Sequence, residues 1–495
     1  MHRNRESVVA CVAGWSESRP DAACIVDRNG MITYGEAWRE VCRYAAGLRE
    51  YGVFDGDYVL TECTQDRRFL LLDLACELLG AVFVPLERGC SRERRDTVLS
   101  ETEAKLLLTE QDAEAACRHE TVASFVDRLP RQGIRERTFP VGDTVAEILY
   151  TTGTTGLPKG IEITHLANVA LAENIIYGVE MRQDNMELIP LPVSHSHGLR
   201  CSYANLVNGS AVVLMEGVTP ILDFFSVLDR YPVTAMDLSP SAVLILMKLS
   251  RGKLSEYRDR FDYVQVGTAK LGTREKDYLR VTFPDARLYY FYGSTESGRT
   301  CVIDFNRIRK GEGCIGTATK HAHILVTDEK GEEMVSSRDR MGLLAFSGEM
   351  NMRGYFKHPE LTATVLRNGI VYSGDLGYID EDGAVFIMGR QGDIINRGGI
   401  KIAPEEVEGP ARGLEMIDDC ACVAMEDDIS GQAPALFVVW KKGAEADPVK
   451  LRTLLGEKLD KYRMPKEIYE IDHIPHSENG KILRRELRKL LPGKE

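Results

Sequence analysis

Three features that would identify common classes of protein are missing from this sequence. Its twelve cysteines are scattered and include no Cys-x-x-Cys pair, so they indicate neither a disulfide scaffold nor a structural zinc site. No apolar run could span a bilayer, because the most apolar one, residues 69–86, contains Asp73 and Glu77. Acidic residues outnumber basic ones, and the formal net charge of −13 argues against a general surface for nucleic acid or anionic membranes.

The length of the chain allows more than one hydrophobic core. With 495 residues, we expect it to divide into domains. Its first residues lead into no long apolar segment, so we expect no secretory signal. Together with the scattered cysteines, this predicts a reducing, cytoplasmic location.

Strand-like and helical segments alternate up to about residue 310. Thr33 and Glu36 have the spacing of a helix-capping box, and apolar residues follow at helical intervals until Gly52. Strand-like runs occur at residues 58–60, 82–84, 105–108, 211–215, 233–238, 263–266 and 287–291. Helical segments between them predict βαβ units on parallel sheets. Between residues 311 and 389, short apolar runs with glycine turns predict a small antiparallel β-region instead.

A run rich in threonine and glycine, residues 150–160, stands between two β-prone stretches. Its glycines allow backbone N–H groups to turn towards an anion, and its lysine adds a mobile positive charge. Pro158 and Gly160 break the Walker A spacing. An ordinary polar turn would use similar residue types, but the length of the run favours a phosphate-binding loop. Its candidate ligands are Thr151, Thr152, Gly153, Thr154, Thr155, Gly156 and Lys159.

Two further polar clusters follow predicted strands, and in open α/β sheets ligands bind beyond the carboxyl ends of strands. The first cluster is Gly267, Thr268 and Ala269, and the second is Tyr292, Gly293, Ser294, Thr295 and Glu296. Glu296 could hold a magnesium ion, because carboxylate oxygens suit this metal. A solvated carboxylate at the start of a helix is the alternative. Further on, Asp375 could accept hydrogen bonds from two ribose hydroxyls.

Histidines occur in two closely spaced pairs. His195 and His197 have no third metal ligand at a nearby spacing, so the sequence does not favour a metal site there. His321 and His323 are expected at outward positions on one face of a strand.

The chain after residue 389 has the pattern of a separate small domain. Residues 389–393 form a polar, glycine-containing junction suited to a hinge. Pro404 and the acids after it predict a helix start. A helix from Asp447 is predicted to carry apolar residues as far as Tyr462 on one face. Lys481 follows Asn479 and Gly480 in a turn, on a domain that could swing onto the larger one.

In this order, the clusters resemble the adenylate-forming (ANL) superfamily, which contains acyl- and aryl-CoA synthetases, carrier-protein adenylation domains and luciferases. Seven motifs support the resemblance, which extends from about Thr33 to Leu487. They are residues 151–160, 192–198, 292–296, 373–377, 389–393, 400–408 and 479–481. The implied fold is α/β. A large N-terminal domain, residues 1–390, would contain two βαβ-type layers and a β-barrel-like subdomain, followed by a small mobile α+β C-terminal domain, residues 391–495.

The resemblance also implies roles for individual residues. The residues of the 150–160 loop would hold the ATP phosphates and Glu296 the Mg²⁺, while the adenine would lie against Tyr292 and near residues 267–269. Asp375 and Arg390 would bind the ribose. Lys481 would reach the carboxylate and the α-phosphate. The catalytic set would be Lys481, Glu296, Thr151 and Lys159.

The implied reaction is the ATP-dependent activation of a carboxylic acid as an acyl-adenylate, with release of pyrophosphate. Transfer to the thiol of coenzyme A would then release AMP. Gly392 departs from the family at the hinge, where an aspartate or lysine is usual, and Asn396 stands where relatives often have lysine. Both departures bear on the second half-reaction.

The residues expected around the acid restrict which class of acid the protein could bind. Residues 193–195 lack the aspartate with which amino-acid-activating relatives pair the substrate ammonium, which favours an acid without an α-amino group. The positions that line the acid pocket in relatives are His195, His197, Cys201, Thr268 and Phe291. Phe291 replaces the glycine of many relatives and so predicts a narrower pocket for aryl or medium-sized acids. A phenylalanine that only packs in the core is equally compatible with the sequence.

Two other functions stay open at this stage. A free-standing enzyme could load the acid onto a carrier protein, and a nucleotide-binding α/β protein could sense or scaffold without catalysis. A homodimer is also possible.

Overall fold

The computed structural model describes residues 6–135, 139–152, 158–398, 400–476 and 482–492. Contacts between residues divide the chain into two units. Unit 1 comprises Met1–Lys310, Ile315–Ile324 and Phe346–Val371, and unit 2 comprises Gly311–Cys314, Leu325–Ala345 and Tyr372–Glu495. The domain boundary expected at residue 390 stays a prediction.

Helices and strands alternate along unit 1. Its helices are α1 (Val8–Ser18), α2 (Tyr34–Glu50), α3 (Arg67–Leu79), α4 (Arg92–Thr102), α5 (Val122–Asp127), α6 (His165–Gly178), α7 (Ser196–Asn208), α8 (Ile221–Arg230), α9 (Pro240–Leu249), α10 (Thr273–Thr282) and α11 (Pro359–Val365), with a 3₁₀ helix at Lys253–Arg260. Its strands are β1 (Ala23–Asp27), β2 (Gly30–Thr33), β3 (Tyr58–Glu62), β4 (Val82–Leu86), β5 (Leu106–Thr109), β6 (Arg118–Thr121), β7 (Val145–Thr152), β8 (Pro158–Thr164), β9 (Met186–Ile189), β10 (Ala211–Leu214), β11 (Ala235–Leu238), β12 (Tyr263–Val266), β13 (Arg287–Ser294), β14 (Gly298–Asp304), β15 (Cys314–Ala318), β18 (Gly354–Tyr355) and β19 (Leu366–Arg367).

Most strands of unit 1 belong to two sheets. One sheet has the order β18-β8-β7-β4-β3-β5-β6, and the other contains the run β15-β14-β13-β12-β11-β9-β10-β1-β2. In the second sheet β10, β9, β11, β12 and β13 pair in parallel, with α8, α9 and α10 in the intervening connections. The predicted βαβ organisation is therefore confirmed for this part of the chain.

Local sequence explains several of these boundaries. Thr33 caps α2 and forms the expected reciprocal capping box with Glu36. Asp66 caps α3, which ends at Gly80 with φ 73°, a left-handed conformation that favours glycine. From Phe69 to Leu79 every residue of α3 is buried, as expected for a helix segment that is covered on all sides by the core of unit 1.

Unit 2 is smaller and largely antiparallel. Its elements are β16 (His323–Thr327), β17 (Gly342–Ser347), β20 (Ile370–Ile379), β21 (Val385–Arg390), β22 (Ile395–Arg397), β23 (Ile400–Ile402), α12 (Pro404–Arg412), β24 (Ile417–Asp427), β25 (Gly431–Trp440), α13 (Pro448–Gly456), β26 (Glu467–Glu470) and α14 (Arg484–Lys489). The strands β16-β17-β20-β21 lie side by side, and β20 pairs with β21 in antiparallel fashion. A further sheet, β23-β22-β25-β24 with β26 on β25, packs its own core against α12 and α13.

Two local predictions were wrong. The helix expected to reach Tyr462 ends at Gly456, a residue with poor helix propensity. His321 lies before β16 instead of on it, because its backbone N–H donates to Asn174 and its ring contacts Glu173 at 2.7 Å.

Among the described residues, no helix combines the length and apolarity needed to cross a membrane.

Candidate active site

The predicted phosphate loop joins two strands of a hairpin. Thr151 on β7 stands opposite Lys159 on β8 in the antiparallel pairing. Gly160 is required by packing, since a Cβ there would lie 2.8 Å from Ile148 Cγ2. The hairpin therefore brings one threonine and the lysine together. The predicted ligands Gly153, Thr154, Thr155 and Gly156, and the side chain of Thr152, lie outside the described part of the chain.

Glu296, the predicted metal ligand, is held beside this hairpin by a tyrosine. The Tyr355 hydroxyl donates to Glu296 Oε1 at 3.0 Å, and the Lys159 Nζ lies 6.0 Å from the centre of the Tyr355 ring. Burial and the neighbouring Glu296 charge raise the pKa of Tyr355, so the phenol remains a donor. Tyr355 pairs with Ile161 through β18. The sequence did not reveal Tyr355, because it belongs to no motif and is remote from Glu296 along the chain.

Glu296 does not start a helix, contrary to the alternative considered for it. It lies in the turn between β13 and β14, which pair in antiparallel fashion from Ser294 and Gly298 onwards. Within this turn the Ser297 N–H donates to Ser294 Oγ at 3.0 Å. The Met352 N–H donates to the Glu296 carbonyl at 2.8 Å. These bonds fix the backbone that carries the carboxylate.

The two clusters expected to surround the adenine lie on neighbouring strands. Val266 at the end of β12 pairs in parallel with Tyr290 on β13, so Gly267 and Tyr292 follow at the same edge of the sheet. The Tyr290 hydroxyl donates to the Ala269 carbonyl at 3.3 Å. Thr268 has φ 74°, a left-handed conformation that is uncommon for a β-branched residue and that typically marks functional positions.

The predicted ribose ligands face each other in unit 2. Asp375 on β20 pairs with Arg390 on β21, and Arg390 Nε donates to Asp375 Oδ1 at 2.9 Å. The Asp375 carboxylate is buried, whereas Arg390 is exposed. Gly392 follows in a turn whose carbonyl accepts from Arg488 Nη2 at 3.2 Å, and a Cβ there would meet no atom within 4 Å. Packing therefore does not require glycine at this predicted hinge. Lys481 lies outside the described residues.

Most of the predicted acid-pocket residues come together in unit 1. His197 and Cys201 lie on one face of α7, and the His197 ring meets the Phe291 ring edge-on at 4.9 Å. A Cβ at Gly267 would collide with the Phe291 ring, so this phenylalanine fills the space above the glycine next to Thr268. His195 is the N-cap residue of α7 and is half-buried. Phe291 itself is only 7% exposed, and whether it sets the size of the acid pocket stays a prediction.

A buried polar layer behind these residues was not predicted. The Glu187 carboxylate accepts from Asn205 at 2.5 Å and from Gln265 at 2.6 Å, while His197 Nε2 lies 2.9 Å from Asp237 Oδ1. Burial, with the charge of Asp237, raises the pKa of Glu187 to about 7. The available signal was a polar residue inside each otherwise apolar strand, β9, β11 and β12.

His197, Cys201 and Asp237 also place three potential metal-ligand atoms within 4.8 Å of one another. The sequence spacing did not indicate this grouping, because Asp237 comes from another element. The Arg299 Nη2, however, lies 3.5 Å from Cys201 Sγ. A guanidinium at this distance repels a cation, so the electrostatics of the cluster oppose a metal ion.

Comparison with known proteins shows the family of the chain. The family model of the AMP-binding enzyme matches residues 12–356, and that of the AMP-binding enzyme C-terminal domain matches residues 406–481. The chain belongs to the AMP-binding enzyme family. It is similar to 4-coumarate–CoA ligase 2 of Nicotiana tabacum, with 28% identity over 515 residues that cover 96% of this chain and 92% of the relative. It is also 26% identical to 4-coumarate–CoA ligase 4 of Arabidopsis thaliana, over 97% of this chain and 90% of that protein.

Solved structures share the fold. ATP-bound MatB from Rhodopseudomonas palustris superposes with a TM-score of 0.87 at 24% identity, covering 97% of this chain and 98% of MatB. The o-succinylbenzoate CoA synthetase MenE from Bacillus subtilis, in complex with ATP and magnesium, gives a TM-score of 0.85 at 22% identity, covering 97% and 99% of the two chains. The predicted α/β fold class is confirmed, as is the resemblance from which it was inferred.

Proposed function

We propose that this member of the family activates an aryl or medium-sized carboxylic acid for transfer to coenzyme A. The chain is an AMP-forming acid–CoA ligase, which converts an acid and ATP into an acyl-adenylate and pyrophosphate and then passes the acyl group to the CoA thiol. The observation that best supports this function is the gathering of Lys159, Tyr355 and Glu296 beside the Thr151 hairpin.

The chemistry explains why such groups are needed. Two anions, the carboxylate and the α-phosphate, must approach each other, and negative charge then moves to the departing pyrophosphate. Lys159 and Thr151 are proposed to offset this charge, and one well-placed donor is worth roughly 3–4 kcal/mol in such reactions. Glu296, oriented by Tyr355, provides the hard carboxylate oxygen that fits Mg²⁺. The ion, when bound, neutralises phosphate charge.

The remaining roles are proposals that rest on the family resemblance. The loop residues 152–156 bind phosphate, residues 267–269 and 292–295 surround the adenine, and Asp375 and Arg390 bind the ribose. Lys481 contacts the carboxylate and the α-phosphate. The segment 391–495 rotates about Gly392 between the two half-reactions. The proximity of Asp375 to Arg390 and of β12 to β13 supports the nucleotide assignments.

The type of acid is proposed from the pocket and from the relatives. Phe291 fills the space above Gly267, which supports a flat or medium-sized acid over a long chain. Relatives named 4-coumarate–CoA ligases support an aryl acid. We further propose a cytoplasmic location. A carrier protein as acceptor and a homodimer remain predictions without support from the described residues.

AMP release from ATP tests this function. It should be measured over a panel of aryl, short-chain and medium-chain acids, each with and without CoA. We expect release that requires one class of acid together with CoA. Pyrophosphate exchange without CoA-dependent AMP release would contradict CoA as the acceptor and indicate a carrier protein. ATP binding without turnover of any acid would contradict the ligase function itself.

A further inference from the structure

Arg299 differs from the other buried arginines of unit 1. It lies on β14 with only 4% of its surface exposed. Arg200 and Arg287, which are also buried, each contact a carboxylate: Arg200 that of Glu147, and Arg287 that of Asp262 at 2.7 Å. No carboxylate within the described chain forms an ion pair with Arg299. Its Nη1 donates to the Gln265 amide oxygen at 2.5 Å, and its Nη2 donates to Cys201 Sγ at 3.5 Å.

A buried guanidinium without a paired anion is costly. It carries a full charge and five N–H donors, of which these two bonds use only two. Two buried acids lie near it without forming an ion pair with it: Asp237 contacts His197, and Glu187, which accepts from Asn205 and Gln265, interacts with the Arg299 charge only through space. Burial also raises the pKa of Glu187 to about 7, which weakens its negative charge near neutral pH. Within the described part of the chain, the Arg299 guanidinium is therefore balanced only at a distance, and no carboxylate forms an ion pair with it.

The Arg299 guanidinium lies among residues of the predicted acid pocket. The Arg299 guanidinium carbon lies 3.5 Å from the centre of the Phe291 ring, and the other contacts of this ring are His197 and Gly267. Cys201, which accepts from Arg299, lies one turn after His197 on α7. His197, Cys201 and Phe291 are among the residues predicted to line the acid pocket. The cation thus belongs to the region where the acid would bind.

We propose that Arg299 binds a second carboxylate of the acid, so that the substrate class is dicarboxylic acids. This inference rests on the proposed ligase function. One carboxylate is activated by ATP, and the other forms a charge-assisted, two-bond contact with the guanidinium fork. The Phe291 ring provides a flat wall for the group that connects the two carboxylates. A monocarboxylic acid would instead bury its apolar end against an unpaired charge, and the protein discriminates against it for this reason.

The test compares pairs of acids that differ only in the second carboxylate. Aliphatic pairs of equal chain length and aryl pairs of equal ring size are assayed for CoA-dependent AMP release. The wild-type protein is expected to prefer the diacid of at least one pair by about 100-fold in kcat/KM, the range of a truncated charge pair. Arg299→Met should lose about 100-fold on this diacid, mainly through KM, and lose little or gain on the monoacid.

Two further variants keep the result interpretable. Arg280→Met removes an arginine of α10 that bonds to the Phe305 carbonyl, and it should leave the diacid preference unchanged. Arg299→Lys retains the positive charge but lacks the forked guanidinium group, and it should keep part of the preference for the diacid. This variant also tests the role of the charge if Arg299→Met does not fold. ATP binding serves as the measure of folding for every variant.

The outcomes separate this inference from the function on which it rests. Turnover restricted to monocarboxylic acids, or equal losses on both acids of a pair in folded Arg299→Met, would overturn the role of Arg299 and leave the ligase function intact. Failure of every acid to support AMP release would overturn the proposed function.

Discussion

Replacing Phe291 by alanine would test whether this ring sets the size of the acid pocket. The side chain is 7% exposed and contacts the His197 ring, the Arg299 guanidinium and the backbone of Gly267. The substitution removes the ring without altering the strand that carries it. It should therefore enlarge the pocket region and weaken the protein at the same time.

The expected magnitudes follow from this burial. Truncating a core phenylalanine costs roughly 3–5 kcal/mol of unfolding free energy. We expect about 3 kcal/mol, because the polar neighbours His197 and Arg299 allow water to enter the space. An acid that fills this space gains about 0.8 kcal/mol for each methylene it buries. Three additional methylenes should thus raise the relative kcat/KM by roughly 50-fold.

The assay is CoA-dependent AMP release for a series of acids of increasing bulk, with thermal unfolding in the presence and absence of the best acid. Phe283→Ala is the matched control, because Phe283 is fully buried in a separate core cluster. It should lose stability without a change in selectivity. Wild-type stability of Phe291→Ala, or the same selectivity as Phe283→Ala, would refute the reasoning.

Three further predictions concern the other groups. Lys481→Ala should reduce adenylate formation, measured by pyrophosphate exchange, by about two to three powers of ten, whereas Lys489→Ala on α14 should not; near-normal exchange would refute the assignment. Tyr355→Phe should weaken the apparent Mg²⁺ affinity about fivefold, the effect of one lost hydrogen bond on Glu296, and an unchanged Mg²⁺ titration would contradict the role of this phenol. In the folded protein the pKa of Glu187 is raised above its usual value to about 7. The protonated carboxyl therefore contributes fully to stability below about pH 4.5, and this contribution is lost as the pH rises to 7. The free energy of unfolding should fall by roughly 3 kcal/mol over this range. Glu187→Gln should remove this slope from denaturant melts between pH 5 and 7, and an unchanged slope would contradict the assignment.

Elements with strong local signals were predictable. The capping box of Thr33 and Glu36 identified α2, and the strand predicted at 263–266 coincides with β12. Such signals depend only on residues that are close together in the sequence, so they can be recognised without knowledge of the fold. The error in α13 has the same origin, because a helical pattern of leucines continued past Gly456 although the helix did not.

Contacts between residues that lie far apart along the chain were harder to predict. The loop of Thr151 and Lys159 was recognisable from its composition, but its neighbour Tyr355 lies about two hundred residues away in a segment without a motif. Likewise, Arg299 follows the Glu296 cluster closely, yet nothing in the sequence places its guanidinium against Cys201 and Phe291. The pairing of β13 with β14 brings Arg299 close to Phe291, and the packing of α7 brings Cys201 close to Arg299.

The amino-acid sequence by itself determined the family, the α/β class and the reaction, because seven motifs in a fixed order carry residue types that nucleotide and carboxylate chemistry requires. The tertiary structure alone decided which side chains meet. It placed a tyrosine on the predicted metal ligand and left a buried arginine without a carboxylate, since burial and charge balance arise only when remote strands and helices come together.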